Sequence, residues 1–146
     1  MKILNTPLTD LKLIIPTIFG DDRGFFLETW QHQTFASAGI KQPFVPDNHS
    51  RSAQWTLRGL HLQVKHTQGK LVRVVRGSVF DAVVDLRQSS PTFGKWWGVE
   101  LSEQNHNMLW VPPGFAHGIL ATSGFADLLY KCTDYYHPEE ERTLAW

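Results

Sequence analysis

The feature that most restricts the fold is a series of short runs of β-forming residues, interrupted by turns and by one short helical segment. The runs are rich in Val, Leu and aromatic residues, and turns such as Arg76-Gly77 and Ser123-Gly124 divide them. The only predicted helix covers residues 31–38 and ends at Gly39. Strands are predicted over residues 11–16, 25–30, 44–50, 57–63, 70–76, 78–86, 96–101, 107–111, 118–122 and 126–133.

Many short strands with a single short helix predict an all-β fold, either an antiparallel barrel or a jelly roll. An α/β fold would need long helical periods between the strands, and the sequence has none. A length of 146 residues fits one domain, and no internal repeat or linker divides the chain. We therefore expect residues 1–146 to form a single jelly-roll domain.

Composition and charge exclude several classes of protein. Lys+Arg and Asp+Glu each total 14, whereas nucleic-acid-binding domains usually carry a basic excess. No apolar run is long enough to span a membrane, and the first residues lack the features of a signal peptide. Cys132 is the only cysteine, which excludes an internal disulfide and favours the reducing cytoplasm. Aromatic residues make up 12% of the chain, which indicates either a deep apolar pocket or a large subunit interface.

The segment Leu57-Arg58-Gly59-Leu60-His61-Leu62-Gln63 contains the first candidate for chemistry. Strand alternation places His61 and Gln63 on the face opposite the two leucines that flank His61. A lone inward histidine is more often a hydrogen-bonded core residue than a functional one. Lys70, His117 and Tyr130, however, lie on or beside other predicted strands. The four side chains together are a better candidate for a site than any one alone.

The strand spacing resembles that of cupins, small jelly-roll barrels with a His-x-His pair, a later Glu and a Pro-x-Gly-x-x-His element. Pro112, Gly114 and His117 match the last element, but Gln63 stands in place of the second His and Lys70 near the place of the Glu. A charged ammonium has no lone pair for a metal and repels a cation. The sequence therefore predicts no metal in the barrel and disfavours a metal-dependent cupin oxygenase.

The same side chains suit proton transfer next to a carbonyl group. Removing a proton α to a carbonyl requires a base and a group that stabilises the enolate, and inversion requires an acid on the opposite face. His61 as base, Lys70 near the carbonyl oxygen and Tyr130 as acid meet these requirements. The alternative for Tyr130 is an aromatic core residue with a hydrogen-bonded hydroxyl.

Longer matches identify a family. The chain resembles the dTDP-4-dehydrorhamnose 3,5-epimerases, the cupin-fold enzymes of the dTDP-L-rhamnose pathway. The matches follow the family's order along nearly the whole chain. They are FGDDRGFFLE (19–28), DNHSRS (47–52), LRGLH (57–61), GKLVRVVRGSVFD (69–81), SPTFGKW (90–96), LWVPPGFAHG (109–118) and YKCTDYYHPEEE (130–141).

The resemblance implies roles at the sugar end of the site. His61 would be the base and Tyr130 the acid on the opposite face. The groups around the sugar and the pyrophosphate would be Arg58, Lys70 and His117.

The resemblance also implies roles at the nucleotide end. Arg23, Glu28 and Asn48 would lie near the nucleotide, in part across the interface of a homodimer. Tyr136 would stack on the thymine, and Glu141 would be a further ligand contact. The alternatives are a surface ion pair for Arg23 and Glu28, worth little in energy, and plain packing for Tyr136.

The chain departs from the family pattern at three places. Pro46 replaces the usual Gln, which removes one possible contact to the nucleotide. Alternation places Arg58 opposite His61, so the strand must bulge at Gly59, or the neighbouring chain must help, for both to reach one ligand. The sequence ends at Trp146, whereas members continue into a tail with a Ser-x-Lys-Asp segment whose Asp pairs with the catalytic His. We therefore expect a C-terminal tail to be missing.

The resemblance implies epimerisation at C3 and C5 of dTDP-4-dehydro-6-deoxy-D-glucose, without a cofactor, to give dTDP-4-dehydro-L-rhamnose. The closest alternatives are a relative that inverts C3 or C5 alone and a ketoisomerase. A third alternative is a non-catalytic cupin that binds the nucleotide sugar, which would apply if the tail is truly absent.

Overall fold

The computed structural model describes residues 1–146 and consists mainly of antiparallel strands. One α-helix, α1 (His32–Ser37), and one 3₁₀ turn (Pro138–Glu140) interrupt them. Neither has the length and hydrophobicity of a membrane-spanning helix. The strands are β1 (Lys2–Asn5), β2 (Lys12–Ile15), β3 (Ile18–Asp21), β4 (Gly24–Leu27), β5 (Asp47–Ala53), β6 (Leu57–Gln63), β7 (Lys70–Arg76), β8 (Ser78–Asp85), β9 (Trp96–Ser102), β10 (Met108–Val111), β11 (Phe115–Ala121), β12 (Phe125–Cys132) and β13 (Glu141–Thr143).

Eleven of these strands form two sheets. The six-stranded sheet has the order β1-β2-β10-β7-β12-β5, and the five-stranded sheet has the order β13-β6-β11-β8-β9. The hairpin β3–β4 is separate and pairs with neither sheet. Non-consecutive neighbours in both sheets are typical of a jelly roll, and the predicted all-β class with one short helix is confirmed.

The core lies where side chains of the two sheets meet, and strand alternation decides which residues enter it. In β8, Val79, Asp81, Val83 and Asp85 are all fully buried, while the residues between them include the partly exposed Phe80. The two valines belong to the main cluster of 14 buried apolar residues. Two carboxylates therefore occupy positions that alternation reserves for the core, and each needs partners that replace water.

Two details differ from the sequence-based predictions. The strand predicted over 118–122 begins earlier, so that His117 lies inside β11 and pairs with His61. The sequence suggested a later start because the Pro-Pro-Gly run and Gly118 are typical of turns. Three strands of three or four residues, β1, β3 and β13, were not predicted, because so short a segment has too little periodicity to detect.

The buried carboxylate at the end of β8 is held by a dense network. Asp85 accepts hydrogen bonds from Arg87 Nε at 2.9 Å, Ser90 Oγ at 2.6 Å and Thr92 Oγ1 at 2.7 Å. The Arg87 guanidinium also lies over the ring of Phe115, 4.7 Å from its centroid. Since Phe115 starts β11 opposite Asp85, this network fixes the entry of the strand that carries His117.

Burial alone raises the pKa of the Asp85 carboxyl, but the hydrogen bonds from Arg87, Ser90 and Thr92 outweigh it and hold this pKa well below its usual range. A carboxyl whose pKa is lower in the folded state stabilises the fold above the unfolded-state pKa, near 4. This stabilisation is lost as pH falls from about 5 through that value toward the folded-state pKa.

We expect Asp85→Asn to lower the free energy of unfolding by about 3 kcal/mol at pH 7, because it leaves a largely buried guanidinium with only the exposed Asp10 as its counter-ion. Urea unfolding at pH 7 and pH 3 measures the effect. The wild type should lose more stability than the variant between these pH values. Asp22→Asn, at an exposed carboxyl without contacts, is the matched control and should leave stability unchanged. An equal loss of stability on acidification in both proteins would contradict the role given to Asp85.

Candidate active site

Residues of both sheets line a cavity of about 400 Å³. A second cavity adjoins it, and four polar side chains border both of them. These are the four that the sequence grouped together, namely His61, Lys70, His117 and Tyr130. The fold therefore brings side chains from four different strands to one place.

These four side chains come from facing walls. His61 on β6 and His117 on β11 belong to the five-stranded sheet and are direct partners in the antiparallel register. Lys70 on β7 and Tyr130 on β12 belong to the six-stranded sheet. A flat ligand between the sheets would therefore have imidazole groups on one face and the phenol on the other.

A bulge in β6 brings Arg58 to the second cavity, which His61 also borders. Opposite β11, Arg58 pairs with Ile119 and His61 with His117, so that three steps along β6 face two along β11. Gly59 provides this extra residue with φ of +90°, and a Cβ there would lie 2.5 Å from the carbonyl oxygen of His117. Of the two ways in which the sequence allowed Arg58 and His61 to approach one ligand, the bulge at Gly59 is present.

His117 has a fixed partner that the sequence analysis missed. Its Nε2 lies 2.9 Å from both carboxylate oxygens of Asp81, which is fully buried. With Nε2 used in this way, the Nδ1 edge of the imidazole is left for the cavity. The signal was present in β8, where a carboxylate alternates with Val79 and Val83 on an otherwise apolar face.

The Lys70 ammonium has no hydrogen bond or salt bridge to any side chain. Burial lowers the pKa of Lys70, while Cys132, Glu141 and Asp81 act in the opposite direction and favour the charged form. A cation that points into a cavity without a fixed partner is available to a polar ligand.

The Tyr130 hydroxyl likewise makes no hydrogen bond within the chain. Burial raises the pKa of Tyr130, and the positive charge of Arg58 only partly opposes this shift. The phenol is therefore protonated at neutral pH and can donate its proton to a ligand.

The first cavity is also lined by Pro46, Asn48, Tyr136 and Glu141. Tyr136 keeps 60% of its surface exposed, which leaves one face of its ring open. Glu141 Oε1 lies 4.0 Å from His61 Nε2, a distance too long for a hydrogen bond. The His61 imidazole thus faces the cavity without a hydrogen-bonded carboxylate to orient it.

Two of the site residues suggested by the sequence lie at neither cavity. Arg23 is at the turn of the β3–β4 hairpin, where it pairs with Asp21 rather than with Glu28. Glu28 follows β4 and is exposed. Within a single chain, the structure therefore does not bring these two residues to the other eight.

One cluster of possible metal ligands lies outside the barrel, where His66, His137 and Glu140 have ligand atoms within 4.8 Å of one another. The two imidazole rings stack with centroids 4.2 Å apart and planes 19° apart, so their lone pairs run side by side instead of converging. His66 Nδ1 is also 2.8 Å from Glu140 Oε1. These contacts join two chain segments, and their geometry does not favour a metal site.

Comparisons with known proteins agree with this geometry. The family model described as dTDP-4-dehydrorhamnose 3,5-epimerase matches residues 5–146. Enzymes with this name from Neisseria gonorrhoeae and Pseudomonas aeruginosa are 53% and 51% identical over the whole chain. The chain spans less than half of the gonococcal relative, 44% of its length, and 81% of the Pseudomonas relative.

Solved structures give the same result. The dTDP-6-deoxy-D-glucose-3,5-epimerase of Legionella pneumophila, in complex with dTDP-4-keto-L-rhamnose, superimposes with a TM-score of 0.96 at 53% identity, over 99% of this chain and 78% of that one. The Bacillus anthracis epimerase with TDP and pyrophosphate bound gives 0.95 at 43% identity, over 99% of this chain and 84% of that one. On the sequence, the fold and these matches, the chain belongs to the dTDP-4-dehydrorhamnose 3,5-epimerase family.

Proposed function

We propose that the chain inverts C3 and C5 of dTDP-4-dehydro-6-deoxy-D-glucose to give dTDP-4-dehydro-L-rhamnose in the cytoplasm. The observation that carries the proposal is the placement of His61 and Tyr130 on facing sheets around one cavity. Lys70 lies on the same sheet as Tyr130 and borders the same cavity. Inversion requires a proton to leave from one face and return to the other. A base and an acid on facing walls meet this requirement.

Each inversion needs only proton transfer. His61 takes the proton from the carbon next to the C4 ketone, and the electron pair of the C–H bond moves to form the enolate. Lys70 stabilises the negative charge on the enolate oxygen, a contribution that is often the largest in such sites. Tyr130 then donates its proton to the carbon from the opposite face. The substrate is neither oxidised nor reduced overall, so no redox cofactor is needed, and Lys70 in the barrel disfavours a divalent cation.

The buried pair of His117 and Asp81 supports the same chemistry. Asp81 holds His117 in a single orientation, so that the other edge of the imidazole can contact the sugar. Arg58, which borders the second cavity and is anchored by Ser52 Oγ at 2.8 Å, is the cation best placed for the pyrophosphate.

The nucleotide end of the site uses Tyr136 as a stacking surface for the thymine, with Asn48 and Glu141 beside it. Arg23 and Glu28 complete it only from a second copy of the chain. The β3–β4 hairpin supports this arrangement, because Phe19, Phe25 and Phe26 are each at least 63% exposed on it. An unpaired apolar hairpin favours a partner surface, and a homodimer supplies one.

A second candidate is inversion at one carbon alone. A 3'-monoepimerase from Streptomyces bikiniensis, solved with dTDP-quinovose, shares the fold at a TM-score of 0.88 with 28% identity. Double and single inversion use the same base and differ in which carbon is reprotonated from the opposite face. A binding protein without activity is a third candidate, distinguished by the absence of exchange with solvent.

The mechanism predicts how hydrogen exchanges with solvent. In heavy water, the wild type should introduce deuterium at C3 and C5 of the 4-keto sugar. His61→Asn should slow exchange at both carbons by at least about 100-fold, because it removes the base, while dTDP binding remains. Tyr130→Phe keeps the base and loses the opposite-face donor, so exchange should persist while inversion slows. NMR of deuterium uptake and of product stereochemistry measures both.

His32→Asn is the matched control for this experiment, since His32 is exposed on α1 and lines neither cavity. It should exchange and invert like the wild type. Exchange at the wild-type rate in His61→Asn would show that His61 is not the base. Deuterium at C3 alone in the wild type would favour the single-centre candidate.

Stacking on the thymine predicts that Tyr136→Ala weakens dTDP binding by about 1–3 kcal/mol, as for other base–aromatic contacts. Isothermal titration calorimetry measures this change. Phe93→Ala is the control, because Phe93 is an exposed aromatic residue that lines neither cavity. Equal effects of the two variants would mean that Tyr136 has no specific contact with the base.

The proposed homodimer predicts that light scattering at micromolar concentration gives the mass of two 16.7 kDa chains. Replacing Phe19 and Phe26 together by Ser should shift the protein toward the monomer and weaken dTDP binding, because Arg23 and Glu28 would no longer reach a partner site. Phe93→Ser, at an exposed phenylalanine outside the hairpin, should change neither property. A stable wild-type monomer that binds dTDP normally would refute the shared site.

A further inference from the structure

Gln63 occupies the position where a metal-binding cupin has its second histidine, and the proposed proton transfers give it no role. It lies two residues after His61 on β6 and is 5% exposed. A primary amide at this depth must use its donors and its acceptor, since unpaired buried groups are costly. The partners of this side chain therefore indicate what Gln63 does.

All three hydrogen bonds of Gln63 go to main-chain groups outside the barrel strands. Nε2 donates to the carbonyl oxygens of His66 at 2.6 Å and Tyr135 at 3.1 Å. Oε1 accepts from the N–H of His137 at 2.8 Å. Two carbonyls on one side and an N–H on the other fix the orientation of the amide. Both polar ends are occupied, so Gln63 does not offer them to a ligand.

The segments held by these bonds form the nucleotide end of the cavity. One is the loop from residue 64 to 69, and the other is the stretch from residue 133 to 140, which carries Tyr136 between two of the groups bonded to Gln63. Residues 134–137 belong to no helix or strand, so the fold supplies no sheet hydrogen bonds to fix the Tyr136 ring.

A second contact joins the same two segments farther out. Glu140 accepts the His66 N–H at 2.8 Å and is paired with the His66 ring, and Gln68 Nε2 donates to the Asp134 carbonyl at 2.8 Å. These contacts close the outer edge of the wall. Gln63 differs from them because it ties both segments to β6, the strand of His61, and so sets the distance between the nucleotide end and the base.

We propose that Gln63 is a positioning residue that holds Tyr136 at the nucleotide end of the site, through the main-chain groups of Tyr135 and His137. This inference rests on the proposed function. Gln63 should therefore determine the affinity for the nucleotide part of the substrate. His61, Lys70 and Tyr130 lie on strands that are held by backbone hydrogen bonds to neighbouring strands. The chemical step should therefore not depend on Gln63.

The first test is Gln63→Leu, which removes the three hydrogen bonds and keeps similar bulk. The KM for the dTDP-4-keto sugar and the dissociation constant for dTDP should each rise about tenfold, equivalent to about 1.4 kcal/mol. The kcat should stay within about twofold. Greater mobility of residues 133–140 in the free enzyme mainly reduces the free energy of substrate binding, because that segment must then be ordered when the ligand binds. Gln54→Leu, which removes one amide contact to the Thr122 carbonyl, is the control and should change neither constant.

A double-mutant cycle distinguishes positioning of Tyr136 from a general loss of stability. If Gln63 acts through Tyr136, then Gln63→Leu should weaken dTDP binding about tenfold when Tyr136 is present. In the Tyr136→Ala background the same change should weaken binding less than about twofold. A general structural defect would weaken binding by the same factor in both backgrounds. Additive effects would overturn the proposal.

Gln63→Glu provides a test that keeps the shape of the side chain. An ionised carboxylate still accepts from His137 but faces the carbonyls of His66 and Tyr135 with no proton to donate. Protonation restores one donor, so the loss of dTDP affinity relative to wild type should shrink as pH falls. A loss that does not change with pH would count against the proposal, as would unchanged constants in both Gln63 variants.

The outcomes separate the two proposals. If the wild type neither binds dTDP nor turns over the 4-keto sugar, the proposed function fails. If the wild type does both and Gln63→Leu behaves like the wild type, only the inference about Gln63 fails. A fall in kcat with an unchanged KM would also overturn it, since that result would place Gln63 in the chemical step.

Discussion

The close approach of β6 and β11 at Gly59 and Gly118 is the constraint on which the site depends. A Cβ at Gly118 would lie 2.6 Å from the carbonyl oxygen of Arg58, and one at Gly59 would meet the other strand equally closely. With no side chain at either position, the strands can pair while β6 carries one extra residue. That residue turns Arg58 toward the second cavity, which His61 also borders. The close approach of the two backbones therefore aligns two functional side chains.

The barrel interior combines an apolar core with a small number of buried polar groups, and the two buried carboxylates of β8 each have a partner. Asp85 is neutralised by Arg87 and two hydroxyl groups, and it secures the start of β11. Asp81, also on β8, is paired with His117 on the neighbouring strand β11. Lys70 and the Tyr130 hydroxyl are the exceptions, because neither has a partner within the chain. Polar groups that a fold leaves available inside a cavity are the ones expected to act on a ligand.

Gln63 shows how one fold supports different chemistry. In a metal-binding cupin the corresponding side chain would point its ring nitrogen at a cation, and here an amide at that position is bonded to the main chain of the wall that carries Tyr136. The exchange of His for Gln therefore does more than remove a ligand. Under the two proposals above, it makes this position a support for the nucleotide end of a site that works by proton transfer.

The sequence by itself determined the all-β class, the position of α1 to within one residue, the family and the grouping of His61, Lys70, His117 and Tyr130. These follow from local patterns, because alternation, turn residues and motif order are all written along the chain. Only the tertiary structure identified Asp81 as the partner of His117 and Gln63 as the anchor of residues 135–137, and only it showed that Arg23 and Glu28 lie away from the cavity of their own chain. Each of these depends on contacts between residues far apart in sequence. A pattern along one strand does not specify which distant group meets it, since that is set by how the two sheets pack.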